Sequence, residues 1–252
     1  KMLNKLIKKI ISWFGYKLVE KNYIKNKRTL SKNFFDLDKI LNHIFSNNLA
    51  KNIIQIGAND GKRFDPLNKY LIKYETKTIF VEPIKEHFKK LKMNYSNKNN
   101  CIFENSAISD FSGHTEIFKV NENNLNLYDD HIAGISSFQR NHLIKHGVKS
   151  KHISSDKVNT LTIKNLIEKY KINNFDLLFI DVEGHEGKII LNFFQSTDVR
   201  PIIIFEYIHI ENSIFDKLIK ELDSKNYFYS KFDENLVCFP EDKKDIFKLS
   251  NP

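Results

Sequence analysis

From Asn52 onward, short and nearly all-apolar runs recur along the chain: NIIQI (52–56), KTIFVE (77–82), CIFE (101–104), FDLLFID (175–181) and PIIIFEY (201–207). Between them the apolar positions fall at helical spacing, over about 66–74, 84–95, 160–171, 186–195 and 211–224. Strands of this kind, separated by helices, predict a parallel sheet covered on both faces. The last two runs, NYFYSKF and NLVCF, are separated only by Asp233 and Glu234. That is too little chain for a helical crossover, so they predict an antiparallel hairpin. The expected fold is α/β: a doubly wound, Rossmann-like sheet, mostly parallel and closed by a C-terminal antiparallel hairpin.

Two segments stand apart from this alternation. Over residues 2–24 the positions Leu3, Leu6, Ile7, Ile10, Ile11 and Phe14 mark one helical face, with Lys5, Lys8 and Lys9 on the remaining arc. Residues 1–48 are thus expected to form a basic amphipathic helical extension, and residues 49–252 the main domain. The apolar face of that helix would pack on the domain or on a second subunit in a homo-oligomer. Alternatively it would lie on an anionic membrane surface as a peripheral contact. Residues 121–156 are polar, weak in helical signal and long for a loop, which predicts an inserted lid or substrate-binding region.

Charge sharpens this division. The net charge of +9 resides in residues 1–32, where ten Lys or Arg face the single acid Glu20. The other 220 residues carry 30 basic and 30 acidic side chains. A body without excess positive charge argues against a nucleic-acid partner. Cys101 and Cys238 sit in apolar runs and read as buried hydrophobes of a reducing compartment. No apolar stretch resembles a signal peptide or spans a bilayer, so the expected location is cytoplasmic.

The chain contains eight glycines, and four of them follow two strand-like runs: Gly57 and Gly61 after NIIQI, Gly184 and Gly187 after FDLLFID. Gly57 permits a sharp turn and a close backbone approach by a ligand, with Asn59 and Asp60 beside it. Asp65 can cap the helix that Pro66 opens. Glu82 ends the second strand, where a carboxylate can accept hydrogen bonds from both ribose hydroxyls. A glycine turn with a strand-end acid predicts a nucleoside-containing cofactor. The turn lacks the G-x-G-x-x-G spacing of a pyrophosphate cradle. Its acid would repel a pyrophosphate but attract an ammonium or sulfonium. With the closing hairpin, that selects S-adenosylmethionine.

Five motifs in order, QIGANDG, VEP, ENSAISD, NTLTIKNLIEKY and DLLFIDVEGHEGKIILNF, resemble the FkbM-type S-adenosylmethionine-dependent methyltransferases. The resemblance runs from about Asn52 to Pro240. It implies a seven-stranded class I methyltransferase fold and O-methyl transfer, often to sugars in polysaccharide or glycolipid assembly. By the same resemblance Gly57, Ala58 and Asn59 would line the methionine end. Glu82, with Pro83 after it, would hold the ribose, and Asn105, Ser106 and Ala107 would border the adenine. Asp181 would face the sulfonium and the acceptor. Gln55 stands where many class I enzymes carry an acid, so Asp60 or Asp65 would take over the ammonium contact.

For the chemistry, an acceptor hydroxyl must lose its proton as it attacks the methyl group. Asp181 and His185 are the candidate bases, with Glu183 between them. Glu186 reads as a first-turn acid favoured by the helix dipole. Asp181, Glu183 and Glu206 could also gather a divalent cation through oxygen ligands, although no metal site is assigned. GISSF (134–138) has small polar residues suited to closing over a ligand. The expected acceptor is a saccharide or a glycan-linked molecule. Two other readings remain open, a non-catalytic nucleoside-binding module and an NAD-dependent enzyme.

Overall fold

The computed structural model of the chain describes residues 36–243; the expected helix at 2–24 and the lysine-rich segment around it lie outside the described residues. The fold begins with α1 (Leu37–Ser46), β1 (Asn52–Ile56), α2 (Asn68–Lys73), β2 (Lys77–Val81), α3 (Lys85–Asn94) and β3 (Cys101–Glu104). A run of smaller elements follows: β4 (Ala107–Ile108), β5 (Gly113–Val120), α4 (Asp130–Gly134), β6 (Ser136–Ser137), α5 (Arg140–Lys145) and β7 (Ile153–Leu161). The chain then continues through α6 (Ile163–Lys169), β8 (Leu177–Ile180), α7 (Glu186–Ser196), β9 (Ile202–Glu206), α8 (Asn212–Ser224), β10 (Tyr227–Phe232) and β11 (Asn235–Pro240).

Seven strands form the main sheet in the order β10-β11-β9-β8-β1-β2-β3. β1 pairs in parallel with both β2 and β8, while β11 runs antiparallel between β9 and β10. The expected mostly parallel sheet with a closing hairpin is therefore present. From β1 the chain first builds outward through β2 and β3. It then returns to the other side of β1 and builds through β8 and β9. Such a reversal leaves a crevice beyond the carboxyl ends of β1 and β8. The central strands β8 and β9 are apolar along their length because helices cover both faces, and Leu177, Ile180, Ile202 and Ile204 are fully buried.

The domain begins before residue 49. Asp36 caps α1 by accepting from the Lys39 amide at 2.9 Å. Leu41, Ile44 and Phe45 enter the main core, where Phe45 stacks on Tyr70 at 4.9 Å. Residues 37–46 therefore belong to the body of the fold, not to an extension.

The region after β3 also departs from expectation. It forms a second, four-stranded sheet in the order β4-β7-β5-β6, with two short helices and two small cores. β5 and β7 run antiparallel from Gly113↔Thr160 to Val120↔Ile153. Residues 160 and 161, expected to open a helix, instead end β7, and α6 starts at Ile163 behind the Thr162 cap. The sequence hid this sheet because only Ile117 and Val120 are buried along β5, leaving little apolar periodicity to read.

Candidate active site

A cleft opens at the β1–β8 reversal. Its floor is made by strand ends that touch. The Gly57 and Ala58 amides donate to the Val81 carbonyl at 3.0 and 3.1 Å, and the Asp181 amide donates to the Ile56 carbonyl at 3.0 Å. Gly57 has φ +82°, and a Cβ there would stand 1.8 Å from the Asp181 carbonyl oxygen. Only glycine fits this crossing. The missing side chain of Gly61 makes room for Leu91 and Tyr95, at the end of α3, and not for a ligand.

Of the residues singled out by sequence, Gln55, Gly57, Ala58, Asn59, Asp65, Glu82, Pro83, Ser106, Ala107, Asp181 and Glu183 line the cleft. Asp60, Asn105 and His185 do not. Asp60 turns inward and accepts from the Lys62 and Arg63 amides at 2.9 and 2.8 Å and from Arg63 Nε at 3.0 Å, fixing the loop after β1. Asn105 ties two strand ends together by donating to the carbonyls of Glu82 and Pro83 at 2.9 and 3.1 Å. His185 meets Ser109 Oγ through Nε2 at 3.0 Å, with its ring edge-on to Phe138 at 4.7 Å. Burial and the nearby Lys188 push His185 down to about 4. It is therefore a weak base placed outside the cleft, which leaves Asp181 as the base candidate.

Glu82 is almost completely buried and accepts from the Asn59 and Ile84 amides, both at 2.8 Å. Desolvation outweighs those bonds and raises its carboxyl to about 7. Asp65 does not cap the helix as expected, since α2 opens at Asn68 behind Leu67; it accepts from the Leu67 amide at 2.8 Å, and burial raises it to about 6 despite the neighbouring Gln55 amide. Gln55 Oε1 and Asp65 Oδ2 are buried acceptors without a hydrogen-bond partner. Such orphans suit a donor-rich cation such as an amino-acid ammonium. The cleft is also lined by the apolar residues Ala107, Ile108, Ile117 and Phe138, of which Ala107, Ile117 and Phe138 share one small core. The cleft rim joins Phe64 to His131 of the inserted region, edge to face at 5.6 Å.

Asp181 is partly accessible at the cleft, yet burial, then the charges of Glu183, Asp65 and Glu234, raises it to about 7. Glu186 goes further than the helix-start acid expected. Its carboxylate accepts from the Val182 amide at 2.9 Å and from the Gly184 amide at 3.0 Å, holding the DVEGHEG turn in shape. Burial raises Glu186 to about 8. The carboxylates that gather here are Asp181, Glu186 and Glu206, not the expected set with Glu183. Glu183, at φ +57°, directs its side chain to His142, whose Nε2 lies 2.7 Å from Oε2. Sequence reading missed His142, His146 and His209 around this carboxylate. The one available signal was the four-residue spacing of His142 and His146, which places both on one helical face.

The model of the FkbM methyltransferase domain matches residues 55–229. The chain belongs to the FkbM methyltransferase family. Its class is accordingly the expected one, an S-adenosylmethionine-dependent methyltransferase. No curated protein matches the chain. Among solved structures, the FkbM methyltransferase from Methylobacillus flagellatus is similar at 11% identity and TM-score 0.49, over 76% of this chain and 44% of that one. The FkbM chain described here thus spans less than half the length of that relative. An O-methyltransferase from Bacillus cereus, solved with S-adenosylhomocysteine, aligns at 10% identity and TM-score 0.44 over 93% and 97% of the two chains. The Podospora anserina methyltransferase PaMTH1, also bound to S-adenosylhomocysteine, aligns at 9% identity and TM-score 0.46 over 81% and 77%. Among the described residues no helix is long and apolar enough to cross a membrane.

Proposed function

We propose that this FkbM enzyme is an O-methyltransferase that methylates a hydroxyl of a sugar in a polysaccharide or glycolipid. When bound, S-adenosylmethionine supplies an electrophilic methyl group. Gln55 and Asp65 offer unpartnered acceptors to its ammonium, and Glu82 offers its remaining lone pairs to the ribose hydroxyls. Ala107, Ile108, Ile117 and Phe138 receive the adenine by apolar contact.

The observation that carries the reading is the Asp181 carboxyl, which lines the cleft at the strand crossing with a pKa near 7. A base tuned near neutral pH accepts a hydroxyl proton efficiently as the oxygen attacks. Asp181 holds that proton, while the surrounding strand ends fix its position and the Gly134–Phe138 segment limits water at the cleft. A saccharide acceptor rests on the likeness of the motifs and on the polar inserted region beside the cleft. The test is turnover against a panel of hydroxyl-bearing saccharides, glycolipids, catechols and amines, with Asp181→Asn in parallel. Methyl transfer to a sugar hydroxyl, lost in the variant, supports the reading; transfer only to amines or catechols overturns it.

A further inference from the structure

The turn that shapes the cleft also carries Glu183 into a cluster of histidines. His142 and His146 come from α5 and its C-terminal cap in the inserted sheet, Glu183 from the turn after β8, and His209 from the loop after β9. The three rings pack together: His142 and His146 are tilted with centroids 4.5 Å apart, and His209 stands edge-on to both, at 4.6 Å from His142 and 5.0 Å from His146. Each of the four side chains contributes one ligand-type atom, and these atoms lie within 4.8 Å of one another. We infer that His142, His146, Glu183 and His209 form a binding site for a transition-metal dication of the zinc class.

The donor set supports this choice of metal. Three imidazole nitrogens and one carboxylate oxygen suit Zn²⁺ and its first-row neighbours, whereas Mg²⁺ and Ca²⁺ favour oxygen ligands throughout. With metal–ligand bonds of roughly 2.0–2.1 Å, a tetrahedral site needs its ligand atoms about 3.3 Å apart. His142 Nε2 and Glu183 Oε2 already lie closer, at 2.7 Å, and His209 Nε2 stands 4.0 Å from the same oxygen. The four ligand atoms all lie within 4.8 Å of one another, somewhat wider than that spacing at most. Hydrogen bonding leaves the cluster under-supplied with donors. Glu183 meets His142, but the His146 ring makes no hydrogen bond among the described residues, where only its backbone amide is bonded, to the His142 carbonyl. A cation would supply what three close-packed imidazoles and one carboxylate lack.

The placement also gives the metal a structural consequence. The three ligating segments are far apart in sequence, and Glu183 lines the cleft as well as joining the cluster. Its carbonyl accepts from Ser137 Oγ at 3.1 Å, a second tie to the inserted sheet. A bound ion would fasten α5 to the ends of β8 and β9 and so fix the wall of the cleft.

The experiment uses the untagged 252-residue chain, stripped with a chelator and titrated with Zn²⁺ by calorimetry and with Co²⁺ by visible absorption. The expected result is one equivalent of Zn²⁺, visible cobalt bands of a tetrahedral site and a raised melting temperature. His146→Ala and His209→Ala should each weaken binding by about 100-fold or more, while the exposed His114→Ala leaves it unchanged. Far-UV circular dichroism of the metal-free variants separates lost ligation from lost folding. Absence of stoichiometric Zn²⁺ binding to the folded wild type overturns the assignment. So does binding that persists in a folded His146→Ala/His209→Ala double variant. All of these readouts are independent of methyl transfer.

Discussion

The carbonyl oxygen of Asp181 and the α-carbon of Gly57 approach so closely that a Cβ on Gly57 would stand 1.8 Å from that oxygen. This contact joins the ends of β1 and β8 at the point where the chain reverses direction across the sheet. It sets the floor of the cleft and the height at which the Asp181 carboxyl stands. The candidate site is thus an outcome of how two central strands cross, before any side chain is chosen.

Gly57→Ala should accordingly damage both fold and site. The substituted residue would have to hold φ near +82° and displace a backbone carbonyl. The expected cost is about 3 kcal/mol or more, measured as a shift in the urea midpoint, with loss of cofactor binding in whatever remains folded. A variant with wild-type stability would show that the crossing relaxes easily.

Asp181→Asn keeps the size of the side chain but removes the proton acceptor. The expected outcome is a fall in kcat of about 10²- to 10⁴-fold, with cofactor affinity changed only a few-fold. Single-turnover kinetics beside calorimetry separates the two effects. An unimpaired kcat would exclude Asp181 as the base.

Glu82 should make cofactor binding depend on pH. Its folded pKa of about 7 lies above the usual 4.5, so it is mostly protonated at pH 6 and mostly ionised at pH 8. Ribose hydroxyls donate to the ionised form, and affinity should therefore rise about tenfold over that interval. The sign for folding is opposite: a raised carboxyl favours the native state in acid, and that contribution is lost as pH rises from 4.5 through 7. Glu82→Gln should weaken binding and flatten both dependences. Calorimetric titrations at pH 6, 7 and 8 provide the check.

Glu104 should behave in the reverse manner. Its Oε2 accepts from Lys169 Nζ and Tyr170 Oη, both at 2.6 Å, and those bonds hold its pKa below the usual value despite burial. A depressed carboxyl stabilises the fold above about pH 4.5 and ceases to do so as pH falls through its native value. The melting-temperature gap between wild type and Glu104→Gln should be widest at pH 7 and close in acid.

The main sheet was legible because burial on both faces forces almost continuous apolar runs, and because two residues between Phe232 and Asn235 permit only a hairpin. Glu82 and Asp181 were legible for the same reason, as polar residues that end such runs. The inserted sheet was not, since a half-solvated strand such as ISSDKVNTL offers few apolar positions to count. Asp60 and Asn105 were correctly placed near strand ends, but their side chains satisfy neighbouring backbone groups instead of the cleft. Sequence gives the position of such a residue along the chain, not the direction of its carboxylate or amide. The histidine cluster was hidden more completely, because its members sit 41 residues apart at His142 and Glu183 and meet only through tertiary packing.

The cleft at the β1–β8 reversal is the proposed binding site of S-adenosylmethionine, held through Gln55, Asp65 and Glu82. Calorimetric titration of the full chain with S-adenosylmethionine, S-adenosylhomocysteine and NAD, beside a folded Glu82→Ala variant, tests it most directly. The account predicts stoichiometric binding of the first two, none of NAD, and marked weakening in the variant. Binding of NAD alone, or affinity for S-adenosylmethionine unchanged in Glu82→Ala, would contradict it.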